Sequence, residues 1–204
     1  HMGGALEYAK KLKDIAPLLP NLFIVMRAYL EKPRTTLGWK GYINDPHIDG
    51  SCDIAYGLKT SREFFIKLTE MGIPIATEVL DIFNIHYLAD LISWSAVGAR
   101  TSESQPHREL VSGLSMPVGF KNGMNGDIQT AINAIEAAKH PHVFTGLNDE
   151  GMGSVFRTLG NSFCHLILRG GETPNYDKTS VKHASLELRK NRISTGIIID
   201  ASHG

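Results

Sequence analysis

Six short apolar runs in the chain each end on a charged residue. Leu22 to Met26 is followed by Arg27, Ile75 to Thr77 by Glu78, Ser95 to Ala99 by Arg100, Val118 to Phe120 by Lys121, His165 to Leu168 by Arg169, and Gly196 to Ile199 by Asp200. A charge at the point where a buried parallel strand emerges lies at the carboxyl edge of the sheet, where barrel enzymes keep their active sites. Four of the six are cations. Arginine offers a planar fork and lysine a point charge, and both hold phosphate and carboxylate. Any one of them can instead serve a surface ion pair. Four at equivalent positions repel one another unless something anionic sits among them, so the group points to a pocket for anions.

Glu31-Lys32-Pro33-Arg34-Thr35-Thr36 comes directly after the first run and adds cations and hydroxyls. It reads as a phosphate-gripping loop: Pro33 fixes φ, and the N–H groups and hydroxyls after it can complete an oxyanion cradle. The alternative is a solvated basic turn. Glu78 and Asp200 can handle protons or orient a water, or can be counter-ions to the four cations. His203 lies three residues past Asp200, where it would face the same edge, as a structural histidine or a metal ligand. Asp45, His47 and Asp49 have metal-ligand types, but their loop composition favours a solvated turn. A GxxxxGK[ST] loop, a GxGxxG after a strand and a nucleophile elbow are all missing from the sequence, which argues against nucleoside triphosphates and dinucleotides.

The elements that position these residues alternate between two periods. Ala5 to Leu12 has helical spacing, Pro17 and Pro20 break the helix, and Leu22 to Met26 reads as a buried strand. Residues 32–50 lack a period and read as a long functional loop. A helix comes next, with Phe64, Phe65, Leu68 and Met71 on one face and Gly72 as its stop. Strand Ile75 to Thr77, a helix carrying Ile85, Leu88, Leu91 and Ile92 after an Asn84 cap, and strand Ala96 to Ala99 continue the alternation. Strand Val118 to Phe120, a helix with Ile128, Ala131, Ile132 and Ile135, strand Leu166 to Leu168, a helix ending near Arg192 and strand Ile197 to Ile199 complete it. His142 to Gly146 and Ser154 to Thr158 form an inserted β-hairpin around the turn at residues 148–151.

Repeated βα units imply a parallel sheet. A doubly wound sheet needs no more, but six main strands in 204 residues read as a TIM (β/α)8 barrel that is incomplete, lacking its first and last strands, since a full barrel takes about 250 residues. The chain is expected to be a single domain over residues 1–204, with His1-Met2 as a tag remnant. Its 21 basic and 21 acidic residues cancel, which disfavours a nucleic-acid partner. No apolar run approaches the ~18 residues of a membrane span. Cys52 and Cys164 suggest neither a disulfide framework nor a CxxC site. The expectation is a cytoplasmic protein without a membrane partner.

Met26-Arg27-Ala-Tyr-Leu-Glu-Lys-Pro-Arg-Thr-Thr-Leu-Gly-Trp-Lys-Gly41, Gly98-Ala-Arg-Thr-Ser-Glu-Ser-Gln105, Pro117-Val-Gly-Phe-Lys-Asn-Gly123, Leu168-Arg-Gly-Gly171 and Ile199-Asp-Ala-Ser-His-Gly204 together resemble the class I, bacterial and fungal type of 3-deoxy-D-arabino-heptulosonate 7-phosphate (DAHP) synthase. The resemblance runs from about Ala5 to Gly204. It implies a TIM barrel transferase that condenses phosphoenolpyruvate with erythrose 4-phosphate at the start of the shikimate pathway of aromatic amino acid biosynthesis. Arg27, Lys32 and Lys121 would bind the phosphoenolpyruvate carboxylate. Arg100 and Arg169, the backbone of Ala99 and a water held by Glu78 would take its phosphate. Lys32, Pro33, Arg34 and Thr35 would hold erythrose 4-phosphate. Lys32, Lys121, Glu78 and Asp200 are the catalytic candidates, and His203 would ligate a divalent metal, Mn²⁺, Fe²⁺, Co²⁺ or Zn²⁺, that polarises the aldehyde.

The resemblance implies four metal ligands, of which the sequence contains only His203; the cysteine would precede Ala5, and the glutamate and aspartate would come after Gly204. The expectation is therefore an internal fragment without tight metal binding or turnover of its own. Phe144-Thr-Gly146-Leu-Asn148 is closer to the tyrosine-sensitive form, with Ile85-His86 departing from the Pro-Gln often seen there, so an aromatic amino acid, tyrosine first, is the expected inhibitor. An incomplete barrel has exposed strand edges, so a homo-oligomer, dimer or tetramer, is expected. The competing readings are the related 3-deoxy-octulosonate 8-phosphate synthase, a Schiff-base aldolase using Lys121, and an inactive module that retains only anion binding.

Overall fold

The computed structural model describes residues 2–148 and 150–202. The fold is mixed α/β with a six-stranded sheet and a separate two-stranded one, and the described residues form two compact units, His1–Ser95 and Ala96–Gly204.

The first unit opens on helix α1 (Met2–Ile15) and a 3-10 turn (Ala16–Leu18). Strand β1 is only Met26–Arg27, paired parallel with β2 (Ile75–Glu78) in the register Met26 to Ile75 and Arg27 to Ala76. This corrects the longer strand expected from Leu22. Hydrogen bonding to the neighbouring segment begins only at Met26, whose N–H donates to Pro74 O at 2.8 Å, and Leu22 and Phe23 stand 62% and 82% exposed. Helix α2 (Ile54–Glu70) starts where Asp53 Oδ1 accepts the Tyr56 N–H, buries Phe64, Phe65 and Leu68, and stops at Gly72, whose φ of +74° suits the residue type.

The helix expected over Ile85 to Ile92 is instead two 3-10 turns, Asn84–Tyr87 and Ala89–Leu91. Asp81 does the capping: its Oδ1 accepts the N–H groups of Phe83 and Asn84 at 2.7 and 3.0 Å. That leaves the Asn84 amide free to donate to Glu31 Oε1 at 2.7 Å. Strand β3 (Trp94–Val97) spans the boundary between the units and ends two residues before the expected Ala99, because Gly98 O accepts the N–H groups of Thr101 and Ser102 and turns the chain.

The second unit carries the end of β3, then α3 (Gln105–Val111), β4 (Val118–Lys121), α4 (Gln129–Lys139), β5 (Val143–Leu147), β6 (Gly153–Arg157), β7 (His165–Leu168), α5 (Lys178–Lys190) and β8 (Ile197–Ile199). Sequence reasoning missed α3, whose seven residues are too few to show a period. β4 pairs parallel with β7 and β7 with β8, with Lys121 opposite Ile167 and Leu168 opposite Ile199. Every residue of β4 and β7 is buried, as central parallel strands require. Ala131, Ile132, Ala134, Ile135 and Ala138 form the buried stripe of α4, and Ala184 and Leu188 that of α5. Asp177 caps α5 by accepting from Thr179 and Ser180 N–H. β5 and β6 form the expected antiparallel hairpin, with Phe144 opposite Phe156 and their rings stacked at 5.9 Å. No helix among the described residues is long and apolar enough to cross a membrane.

Candidate functional site

In the second unit, β4, β7 and β8 all run the same way, so Lys121, Arg169 and Asp200 leave one edge of the sheet together. Lys121 is the most enclosed of the four strand-end cations, 5% exposed, and its Nζ lies 3.2 Å from Asp200 Oδ2. Burying an ammonium costs several kcal/mol unless a countercharge accompanies it, and Asp200 supplies that charge. The other oxygen of Asp200 accepts from Ser202 N–H and Oγ at 3.0 and 2.7 Å. Its N–H donates to Leu168 O at 2.8 Å, which ties the end of β8 to the end of β7. Of the two roles open to Asp200, counter-ion is the one this geometry displays.

Arg169 comes just after β7 and is half-buried, and its Nε is shielded from solvent without a hydrogen-bond partner among the described residues. A buried donor left unpaired costs about 1–3 kcal/mol, a cost that an anion placed there would relieve. Arg100 stands exposed in the turn after β3, beside half-buried Ala99. Ser102, two residues on and fully buried, donates from Oγ to the carbonyls of Gly98 and Lys121, each at 3.0 Å. That hydroxyl fastens the Arg100 turn to the end of β4.

The turns after β4 and β7 also touch. A Cβ on Gly171 would lie 2.4 Å from Gly126 N, closer than any side chain permits. Asn122, 0% exposed, lies between them with Nδ2 donating to Gly123 O and Gly170 O and Oδ1 accepting from Arg169 N–H. Asn122 and Ser102 fall inside the sequence motifs without a visible role of their own; their spacing beside Lys121 and Arg100 is the only signal they carry.

In the first unit, Arg27 is exposed and its guanidinium lies 4.1 Å from the centre of the Tyr29 ring, a cation–π pair. The residues 32–36 are exposed. Their loop is closed at its base by Lys32 N–H donating to Lys40 O at 2.7 Å and braced by Arg34 Nε donating to Trp39 O at 2.7 Å. Lys32, Pro33 and Thr35 thus project from a closed loop. Glu78 ends β2 half-buried. Glu31, the residue before Lys32, is pushed above its ordinary carboxyl value chiefly by burial and further by the charges of Asp81 and Glu78, against the opposing hydrogen bond from Asn84. Glu31 carries no signal in the sequence beyond its place beside Lys32.

His203, the expected metal ligand, lies outside the described residues. Among the described residues no group of three or more His, Cys, Asp and Glu is placed to hold a metal ion. Asp45, His47 and Asp49 form a local turn, with Asp45 Oδ2 accepting from Gly50 N–H and His47 Nε2 at 3.6 Å from Asp53. Cys164 and His165 sit at the amino end of β7, the opposite end from the charged edge. Burial pushes the Cys164 thiol up to about 12 and lowers His165, so both read as core.

Parallel strands β4, β7 and β8, whose carboxyl ends carry Lys121, Arg169 and the half-buried counter-ion Asp200, define an α/β protein with paired charge at one edge of its sheet. The chain belongs to the DAHP synthetase I family, whose model matches residues 2–204. It is 53% identical over 201 residues to the Tyr-sensitive phospho-2-dehydro-3-deoxyheptonate aldolase of Salmonella typhimurium, covering 98% of this chain and 56% of that protein. To the Phe-sensitive one of Escherichia coli it is 50% identical over 200 residues, covering 98% and 57%. The solved structure of phospho-2-dehydro-3-deoxyheptonate aldolase from Francisella tularensis superposes on all of this chain and 60% of its own with a TM-score of 0.97 at 48% identity. The chain thus spans a little over half the length of the relatives it matches.

Proposed function

We propose that this chain is the substrate-anion part of an enzyme that condenses phosphoenolpyruvate with erythrose 4-phosphate and water to give DAHP and inorganic phosphate. The observation that carries the reading is the Lys121–Asp200 pair at the strand ends beside Arg169, whose shielded Nε has no partner among the described residues. Family membership and relatives named for this aldolase support it. Arg27, Lys32 and Lys121 take the carboxylate of phosphoenolpyruvate. Arg100, Arg169, the Ala99 backbone and a water on Glu78 take its phosphate, and Lys32, Pro33, Arg34 and Thr35 take erythrose 4-phosphate.

The chemistry these residues serve is mainly orientation and charge. C3 of phosphoenolpyruvate attacks the aldehyde carbon, whose oxygen is protonated. Water adds at C2, and the C2–O bond to phosphate breaks. Two polyanionic substrates repel each other, and fixed cations offset that repulsion while holding the reacting carbons in line. Lys32 is the candidate proton donor to the aldehyde oxygen. The divalent metal of this reading, Mn²⁺, Fe²⁺, Co²⁺ or Zn²⁺, would engage His203. The described residues do not by themselves fit such a site.

The same reading takes residues 1–204 as one partial TIM barrel domain with an inserted hairpin, working in the cytoplasm, self-associating as a dimer or tetramer, and inhibited by tyrosine ahead of phenylalanine. Calorimetric titration of the chain with phosphoenolpyruvate tests the core of it. Saturable binding that Arg169→Ala abolishes is the expected result; no binding at millimolar ligand would overturn the reading. Turnover with added Mn²⁺ at the level of a full-length relative would refute the expectation that this chain alone is inactive.

A further inference from the structure

The backbone ladder between β4 and β7 ends at Asn122, whose N–H donates to Ile167 O at 3.1 Å. Past that rung the Asn122 side chain takes over the pairing. Its Nδ2 donates to Gly123 O at 2.8 Å and to Gly170 O at 2.9 Å. Its Oδ1 accepts the Arg169 N–H at 2.9 Å and the Asn175 Nδ2 at 3.2 Å. Asn175 returns the contact, its Oδ1 accepting the Gly170 N–H at 2.8 Å. A primary amide offers two donor hydrogens and two acceptor lone pairs, and at Asn122 all four are used inside the protein.

This arrangement does more than satisfy a buried polar group. Lys121 is the residue before Asn122, and the backbone of Arg169 and Gly170 is gripped from both sides by the two amides. Sliding the end of β7 against the end of β4 breaks several partly buried hydrogen bonds at once, each of which is costly to leave unmade. Lys121 is in turn paired with Asp200, whose N–H is held by Leu168 O. The two cations are therefore fixed through their backbones, leaving the Arg169 Nε unspent.

We propose that Asn122 and Asn175 are positioning residues that set the placement of Lys121 against Arg169 for an anionic ligand bearing phosphate or carboxylate. The inference deepens the phosphoenolpyruvate reading and rests on it for the identity of the ligand. Aspartate at 122 keeps the two acceptor contacts and loses both donors, and it sets a negative charge beside the cations. Alanine at 175 removes the grip on Gly170 N–H and one of the four bonds to Asn122, from a half-buried loop position that leaves the core intact.

The experiment compares the wild-type chain with Asn175→Ala and Asn122→Asp in three measurements: calorimetry with phosphoenolpyruvate, the ¹H–¹⁵N cross-peak of Arg169 Nε–Hε without ligand, and urea unfolding. In Asn175→Ala the dissociation constant is expected to rise about fivefold or more, on the scale of one lost hydrogen bond, and the Arg169 cross-peak to move while those of the β5–β6 hairpin stay. A fall in stability with affinity and cross-peak unchanged means a structural role only and overturns the proposal. If the wild-type chain fails to bind phosphoenolpyruvate, the substrate reading falls; the ligand-free cross-peak then decides positioning, a moved peak supporting it and an unmoved one refuting it. Should Asn122→Asp not fold, Asn175→Ala carries the test alone.

Discussion

Removing the Lys121 ammonium while leaving Asp200 in place gives the sharpest test of how the charged edge is held. The two side chains are 6% and 14% exposed and 3.2 Å apart. At that separation unit charges attract by about 5 kcal/mol if the effective dielectric is about 20, and most of that offsets the desolvation of both ions. Breaking such a pair from one side typically costs ~3–5 kcal/mol. Lys121→Met, which keeps the stem and loses the charge, is expected near the lower end, because Ser202 still donates two hydrogen bonds to Asp200. Asp200→Asn keeps the shape and leaves Lys121 as the unpaired ion. The double variant carries no stranded charge, so it should lose less than the sum of the singles by roughly 2 kcal/mol or more. Urea unfolding of the four proteins measures this, with equal slopes as the check that the transition is unchanged. Additivity within about 0.5 kcal/mol, as for independent sites, would show that the pair does not act as a buried ion pair and would refute the reasoning.

Three further outcomes are expected. Because Glu31 is held above its ordinary value of 4.5 by burial, the native state binds its proton more tightly than the unfolded chain. The contribution is present below pH 4.5 and is lost as pH rises through the folded value. Glu31→Gln, which can still accept from Asn84, should therefore be more stable than wild type at pH 7 and lose that advantage toward pH 4, as read from urea midpoints; a constant difference would contradict the assignment. Cys164 is buried with its thiol pushed up to about 12, while Cys52 is exposed, so a thiol reagent at pH 8 should titrate one cysteine in the native chain and two in urea; two fast-reacting thiols in the native protein would be the contrary result. Gly171→Ala puts a Cβ 2.4 Å from the backbone of Gly126 and should cost about 1–3 kcal/mol, with weaker phosphoenolpyruvate binding if the two turns shape that site.

Much of the edge was legible because charge at the end of a buried run is a local pattern. Arg27, Glu78, Lys121, Arg169 and Asp200 all sit at or one residue beyond strand ends. Arg100 lies three residues past β3 because Gly98 turns the chain early, and a run of apolar residues does not reveal where hydrogen bonding stops. The same limit misplaced β1: Leu22 and Phe23 are as apolar as a core strand requires yet stand in solvent. The segment after β2 read as a helix because its apolar spacing fits one. Asp81 accepts the N–H groups at the start of the turn while the Asn84 amide donates to Glu31, 53 residues away, and apolar spacing reveals neither pairing.

The alternation of elements, the inserted hairpin, the row of charged strand ends and the likeness to one family are legible in one dimension, since each is carried by nearest-neighbour spacing or by contiguous motifs. The three-dimensional arrangement alone settled which charges neutralise one another. Lys121 and Asp200 are 79 positions apart and meet because β4, β7 and β8 run parallel in register. It also decided that Asn122, unremarkable between a lysine and a glycine, holds the ends of two strands. Pairing between distant residues is set by the register of the sheet, which depends on all the strands at once, whereas hydrophobic period and strand-end charge depend on a few residues at a time.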